Sequence, residues 1–306
     1  MTKNAIGIIG MGWVGTSVAI SILHRGICEE LLLNDIKPEL AVGEAMDLNH
    51  GSSFYPSTTV KAASIEDMVH CKAIVVTAGR GSVPGETRLD LLEGNLQIVK
   101  QISAKLTGFN GFLIVVANPV DVLTYFYQKY TGLESKKVIG TGTMLDTARL
   151  RSMIGHKLNV DAKSIHANVI GEHGDSEVVV WSEARIGGIR LADWQEWKPE
   201  YEKEIADKVR TAAYEIIKLK GATNHAIGLV TGTLLKWIFR GERRVVTLSS
   251  IISDVYGLSG VALSLPSLVS SHGIERVMEI NMDKMEEEQL MHSAEVIKKA
   301  IESVDG

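Results

Sequence analysis

The chain has 306 residues, 45% of them hydrophobic and 23% charged, with a formal net charge of −5. That length accommodates two domains with sizeable cores. The acidic balance and an aromatic content of only 6% exclude a basic stacking platform for nucleic acid and a cationic field for an anionic membrane. Cys28 and Cys71 are the only cysteines; they fit neither a disulfide framework nor a metal-ligand spacing, so no metal is expected. No signal peptide or bilayer-length apolar run is visible, and the expected address is a reducing cytoplasm.

Residues 5–9 read as a buried strand and 14–24 as a helix stopping at Gly26. A second strand over 31–34 ends at Asp35, and a helix opens near Pro38. Residues 73–77 form another apolar run, followed by a loop rich in glycine and proline, a helix over about 91–106 and a strand over 112–116. Residues 138–141 close this series. Short apolar strands alternating with helices imply βαβ crossovers and a parallel sheet covered on both faces.

The pattern changes after Thr143. A helix over 145–158 is followed by strands near 166–170 and 178–186, and by long helices over 201–220 and 224–239. Strands near 245–251 and 263–269 precede a terminal helix whose apolar residues Leu290, Ala294, Ile297, Ile301 and Val304 recur at steps of four and three. The expected fold is α/β: a Rossmann-type, doubly wound parallel sheet in residues 1–142 and a second, α+β substrate domain in residues 143–306.

Gly10-Met11-Gly12-Trp13-Val14-Gly15 matches G-x-G-x-x-G directly after a strand and at the start of a helix. The first glycine makes the tight turn, the second admits a pyrophosphate, and the third lets helix pack on strand. Helix N-terminal amides, Val14 among the first, then receive the diphosphate. Asp35 lies twenty residues after Gly15, where a carboxylate accepts the adenosine ribose hydroxyls and repels a 2′-phosphate. NAD is therefore favoured over NADP. The alternative is that Asp35 merely caps the helix near Pro38.

Hydride transfer to or from a 2-hydroxy acid needs a proton carrier, a fixed cation for the substrate carboxylate and a group that polarises the carbonyl. Gly171-Glu172-His173-Gly174-Asp175-Ser176 offers an imidazole between glycines, and Leu145-Asp146-Thr147-Ala148-Arg149 sets Asp146 and Arg149 on one helix face. Periodicity alone does not bring these residues together. A structural histidine and a solvated helix pair are the plain alternatives.

At this point the chain resembles the L-lactate and malate dehydrogenase family. The likeness is carried by Gly43 to Leu48, Pro84 to Arg88, Asn118-Pro119-Val120-Asp121, Leu145 to Arg149 and Gly171 to Ser176, in that order along nearly the whole chain. The resemblance implies His173 as acid/base, Asp146 as its partner, and Arg149 as a bidentate grip on the substrate carboxylate. It implies Arg88, on a mobile lid, as the group that polarises the C2 oxygen. Asn118 would touch substrate and nicotinamide ribose, Thr223 would line the side-chain pocket, and Ala78 and Gly79 would join Gly10, Gly12, Val14, Gly15 and Asp35 around the cofactor.

One position departs from the family. Ser82 stands where lactate enzymes of the family carry glutamine and malate enzymes arginine. Serine lacks a charge and leaves more room, so two readings stay open: an L-lactate dehydrogenase with a substituted lid, or an L-2-hydroxyisocaproate-type enzyme for longer aliphatic 2-oxo acids. Arg80, two residues earlier, keeps a malate enzyme as a third. Arg151 lies about 200° round the helix from Arg149 and so points away from the catalytic pocket. With His166 it matches the pair that binds fructose 1,6-bisphosphate between subunits in bacterial lactate enzymes of the family. The resemblance also implies a homodimer or homotetramer. A dinucleotide-fold protein without catalysis would have lost His173, Asp146 or Arg149, and an NADP-dependent reductase of another family would lack Asp35.

Overall fold

The computed structural model describes residues 4–81 and 87–305. The chain runs β1 (Ala5–Ile9), α1 (Trp13–Arg25), β2 (Glu30–Asn34), α2 (Pro38–His50), β3 (Thr59–Ala62), β4 (Ala73–Val76), α3 (Arg88–Lys105), β5 (Phe112–Val115), α4 (Val120–Thr131) and β6 (Val138–Gly140). It continues through α5 (Met144–Leu158), β7 (Ile165–Ile170), β8 (Val178–Ile186), β9 (Ile189–Arg190), α6 (Glu200–Lys220), α7 (His225–Arg240), β10 (Arg244–Val255), β11 (Leu258–Ser270), β12 (Gly273–Val277) and α8 (Lys284–Glu302).

One sheet has the order β12-β11-β10-β6-β5-β4-β1-β2-β3. Its stretch from β6 to β3 is parallel throughout, in the doubly wound order. Every residue of β1 and β4 is buried, as continuous apolar strands must be when helices cover both faces. On one face Val18 and Ile22 of α1, Ala41 and Ala45 of α2, and Leu234 and Ile238 of α7 share a core with Ile6, Ile8 and Leu31. On the other, Leu96 and Val99 of α3, Phe126 of α4 and Leu290 of α8 pack with Ile74, Val76 and Leu113. A third core joins α5 and α6 to the small sheet β7-β8-β9.

The large sheet crosses Thr143: the antiparallel hairpin β10–β11 extends it, joined to β6 by the pairing of Ser249 with Gly140. Helix α4 and strands β3 and β12 have no counterpart in the sequence expectations. The β10–β11 hairpin is also longer than the two short strands expected. Strand order reverses between β1 and β4, and the loops leaving their carboxyl ends open a crevice there, the usual ligand site of such sheets.

Candidate active site

Gly10 leaves β1 with φ of +99°, and its N–H donates to the Asn34 carbonyl at 2.8 Å. A Cβ here would lie 2.6 Å from the Ala78 nitrogen, and one on Gly15 would lie 1.9 Å from the Gly10 carbonyl oxygen. Backbone proximity therefore dictates glycine at both positions. Gly12 is different. It is the exposed N-cap of α1, and nothing lies within 4 Å of an ideal Cβ on it. That open space, at the amide end of a helix whose first turn holds Val14, fits the diphosphate of a dinucleotide.

Asp35 follows β2. Its Oδ2 accepts the Met11 N–H at 2.7 Å and its Oδ1 the Lys37 N–H at 3.0 Å. Lys37 precedes α2, so the carboxylate does steady the entry to that helix. The Met11 bond also ties it to the glycine turn, at the edge of the open space. Across the crevice, Thr77 donates its hydroxyl to the Gly10 carbonyl at 2.6 Å, and Ala78 and Gly79 continue the loop. Asn95, buried on α3, accepts the Arg80 N–H at 2.8 Å and donates to the carbonyls of Arg80 and Asn118 at 3.3 and 3.4 Å. It joins the loops after β4 and β5. Sequence reasoning missed this residue; its only signal is an amide among the apolar positions Leu92, Leu96 and Val99. Asn118 is exposed, its Oδ1 accepting the Val120 N–H at 3.3 Å.

The second cluster forms where the β7–β8 loop meets α5 and α4. His173 Nδ1 lies 2.5 Å from Asp146 Oδ2, and Arg149 Nη1 donates to Asp146 Oδ1 at 2.7 Å. An ionised carboxylate only accepts, so Nδ1 carries a proton and Nε2 is the nitrogen left for chemistry. The Asp146 side chain is 2% exposed, against 24% for His173 and 14% for Arg149. The carboxylate is thus submerged beneath two accessible groups. The backbone N–H of His173 donates to Asp121 Oδ2 at 2.7 Å.

Burial disfavours the imidazolium of His173, but the charge and hydrogen bond of Asp146, with lesser help from Asp121 and Glu177, outweigh it and raise the group to about 9. Burial acts on Asp146 in the opposite sense, and His173 and Arg149 overcome it, holding the carboxyl below its usual range. Glu177, buried with Oε1 unpartnered, is pushed up to about 8 by burial and then by repulsion from Asp146. Neither Glu177 nor Asp121 stood among the sequence candidates.

Arg88 is the first residue of α3, which Thr87 and Asp90 close with a capping box. Ser82 lies outside the described residues. Arg80 donates to the Asp90 carbonyl at 2.7 Å and lies against Gly94, which places its charge on α3. Thr223 sits half-buried in the α6–α7 loop. That loop abuts α1, with Asn224 Nδ2 donating to Ser17 Oγ at 2.9 Å and Lys220 Nζ 5.9 Å from the Trp13 ring centre. Arg151 turns from α5 toward β7, its Nε donating to the Ala167 carbonyl at 2.9 Å and its Nη2 to Asn168 Oδ1 at 3.2 Å. It lines a cleft of about 280 Å³ with Lys163 and Trp237. His166 is exposed on β7.

The chain matches two family models, the lactate/malate dehydrogenase NAD binding domain over residues 4–140 and the lactate/malate dehydrogenase alpha/beta C-terminal domain over residues 143–305. It is 44% identical over 309 residues to an L-lactate dehydrogenase of Fervidobacterium nodosum, with 98% of each chain covered. It is 42% identical to one of Synechococcus, with 97% of this chain and 98% of that one covered. Among solved structures, a lactate dehydrogenase from a Medee basin deep-sea metagenome library superposes with a TM-score of 0.96 at 38% identity, covering 100% of both chains. The minor L-lactate dehydrogenase of Enterococcus mundtii superposes with a TM-score of 0.97 at 36% identity, covering 99% of both. With both halves matched in order and a glycine turn shaped for a dinucleotide, the chain belongs to the lactate/malate dehydrogenase family and binds NAD.

Proposed function

We propose that the protein interconverts L-lactate and pyruvate with NAD(H), using His173 as the proton carrier. The observation that carries this reading is the single Asp146 carboxylate that holds His173 by one oxygen and Arg149 by the other. When bound, NADH supplies the hydride that C2 of the 2-oxo acid receives, and NAD takes it back in the reverse direction. The residues of the chain do the rest. Arg149 pairs with the substrate carboxylate, His173 Nε2 gives its proton to the C2 oxygen during reduction and recovers one during oxidation, and Asp146 stabilises the imidazolium. Arg88 polarises the C2 oxygen, and Asn118 orients it against the nicotinamide ribose. Ser82 and Thr223 border the methyl group of the substrate. Gly10, Gly12, Val14, Gly15, Asp35, Ala78 and Gly79 hold the cofactor, so that residues 1–142 serve the nucleotide and 143–306 the acid.

The enzyme acts in the cytoplasm as a homodimer or homotetramer. Exposed Ile20 of α1, Val42 and Met46 of α2 and Ile217 of α6 support association, since apolar surface of that kind is expected to be covered. Arg151 and His166 supply hydrogen-bond donors for fructose 1,6-bisphosphate as an activator, which would compete with the Ala167 and Asn168 bonds of Arg151. Loss of NADH absorbance with pyruvate, 2-oxoisocaproate, phenylpyruvate and oxaloacetate, each with and without the sugar bisphosphate, tests the reading. The expected result is the highest kcat/KM for pyruvate. A kcat/KM higher for 2-oxoisocaproate or oxaloacetate than for pyruvate overturns it.

A further inference from the structure

Arg80 takes no part in the reaction as proposed, yet Asp90, Gly94 and Asn95 of α3 all converge on it. Its backbone N–H donates to Asn95 Oδ1 at 2.8 Å, and its carbonyl accepts from Asn95 Nδ2 at 3.3 Å. The amide of Asn95 thus pairs with both main-chain groups of Arg80, as a neighbouring strand would. The guanidinium reaches back along α3, where Nη2 donates to the Asp90 carbonyl at 2.7 Å. Between these two attachments lies Gly94, on which an ideal Cβ would fall inside the guanidinium. Gly94 stands in the interior of an 18-residue helix, where only proline is less favoured than glycine. A helical carbonyl points toward the N–H four residues on, so the Asp90 carbonyl faces Gly94. A side chain there would cover it, and glycine leaves it open to Arg80.

We infer that Arg80 is a positioning residue: its guanidinium, seated on Gly94, locks the first turn of α3 to the loop that carries Ala78 and Gly79. That turn begins with Arg88 and is closed by the Thr87–Asp90 capping box. The inference rests on the reading of Arg88 as the group that polarises the C2 oxygen. Asn95 holds the loop to the body of α3, and the guanidinium carries that hold to the turn where Arg88 begins. A cation that polarises a carbonyl must stand at the right distance from it, and a small misplacement is costly in rate. The brace therefore acts on kcat, while the loop that faces the cofactor stays in place on the two bonds to Asn95.

The test compares Arg80→Ala, Gly94→Ala, the two combined, and Arg88→Gln, in kcat for pyruvate reduction, NADH affinity and melting temperature. Arg80→Ala keeps the bonds to Asn95, which use only main-chain groups of residue 80, and loses the guanidinium. Its kcat should fall about fivefold or more, with NADH affinity within about twofold of the parent. Gly94→Ala pushes the guanidinium off its seat, so it should lower kcat by a similar factor. The combined variant should be no slower than either single one, because both remove the same contact. It should also melt above Arg80→Ala, since alanine then has room and the higher helix propensity. An unchanged kcat in Arg80→Ala or in Gly94→Ala, or losses that multiply when the two are combined, overturns the inference. So does a loss confined to oxaloacetate, which would make Arg80 a substrate contact. Arg88→Gln separates the two claims: if it keeps the parent's kcat, the reading of the site fails and this inference with it. If Arg88→Gln is slowed and Arg80→Ala is not, only the inference fails.

Discussion

Arg149 and His173 are bound to opposite oxygens of one carboxylate, at 2.7 Å and 2.5 Å. Because Asp146 is buried and fixed on α5, Arg149 and His173, the proposed cation for a substrate carboxylate and the proposed proton donor for its C2 oxygen, are held on one anchor. That is the geometry a 2-hydroxy acid requires, since its two functional groups sit on adjacent carbons. Positioning of this kind lowers the barrier before any bond changes.

Asp146→Asn should leave the fold intact and lower kcat for pyruvate reduction by about 10²- to 10⁴-fold. The amide keeps an acceptor but loses the charge that holds His173 up to about 9. The residual activity should therefore fall away at lower pH than in the parent. Steady-state kinetics across pH check both effects.

Arg149→Lys keeps the charge and loses the planar fork. A lysine cannot bond Asp146 and a substrate carboxylate in the same geometry, so KM for pyruvate should rise roughly 10- to 100-fold, the worth of one charge-assisted hydrogen bond. Binding of NADH should not change, which a fluorescence titration checks.

Glu177 carries the clearest pH signature in stability. Burial raises its carboxyl to about 8, so between its ordinary value of 4.5 and about 8 the folded protein holds a proton that the unfolded chain has lost. Stability declines with rising pH across that window and the cost is complete above it. Glu177→Gln should remove the cost, with a gain on the order of 2 kcal/mol above pH 8 that vanishes below pH 4.5. His173 adds a decline of the same sign: its raised value contributes stability in full below its ordinary 6.5 and loses it as pH climbs through about 9. Thermal melts of parent and variant from pH 4 to 10 separate the two.

Asp35→Asn keeps one acceptor oxygen in place of the two that receive the Met11 and Lys37 amides and removes the charge at the ribose edge. Like charges close together near a protein surface repel by several kcal/mol, so the ratio of kcat/KM with NADPH to that with NADH should rise at least about tenfold. Paired assays with the two cofactors measure it.

Much of the site was legible because its signals are local. The glycine turn, the acidic end of β2, the His173 loop and the Asp146–Arg149 spacing each fall within a few residues of sequence. Helix α4 was not legible: Val120, Val122, Thr124, Tyr125, Phe126 and Tyr127 are β-branched or aromatic, with intrinsic preferences leaning to strand, and packing between α3 and β11 overrides them. Strand β3 buries only Val60, too little for an apolar pattern. The start of α3 at Arg88 rather than near residue 91 follows from the Thr87–Asp90 capping box, a signal that was present and unused. Asn95 and Asp121 could not be assigned from sequence, because their roles exist only through partners on distant strands and loops.

Whether His173 carries the proton is decided by His173→Gln. The measurement is kcat for pyruvate reduction beside NADH affinity in the same protein. The expected result is a fall of at least about 10²-fold in kcat with NADH affinity unchanged. A variant that reduces pyruvate within tenfold of the parent would contradict it.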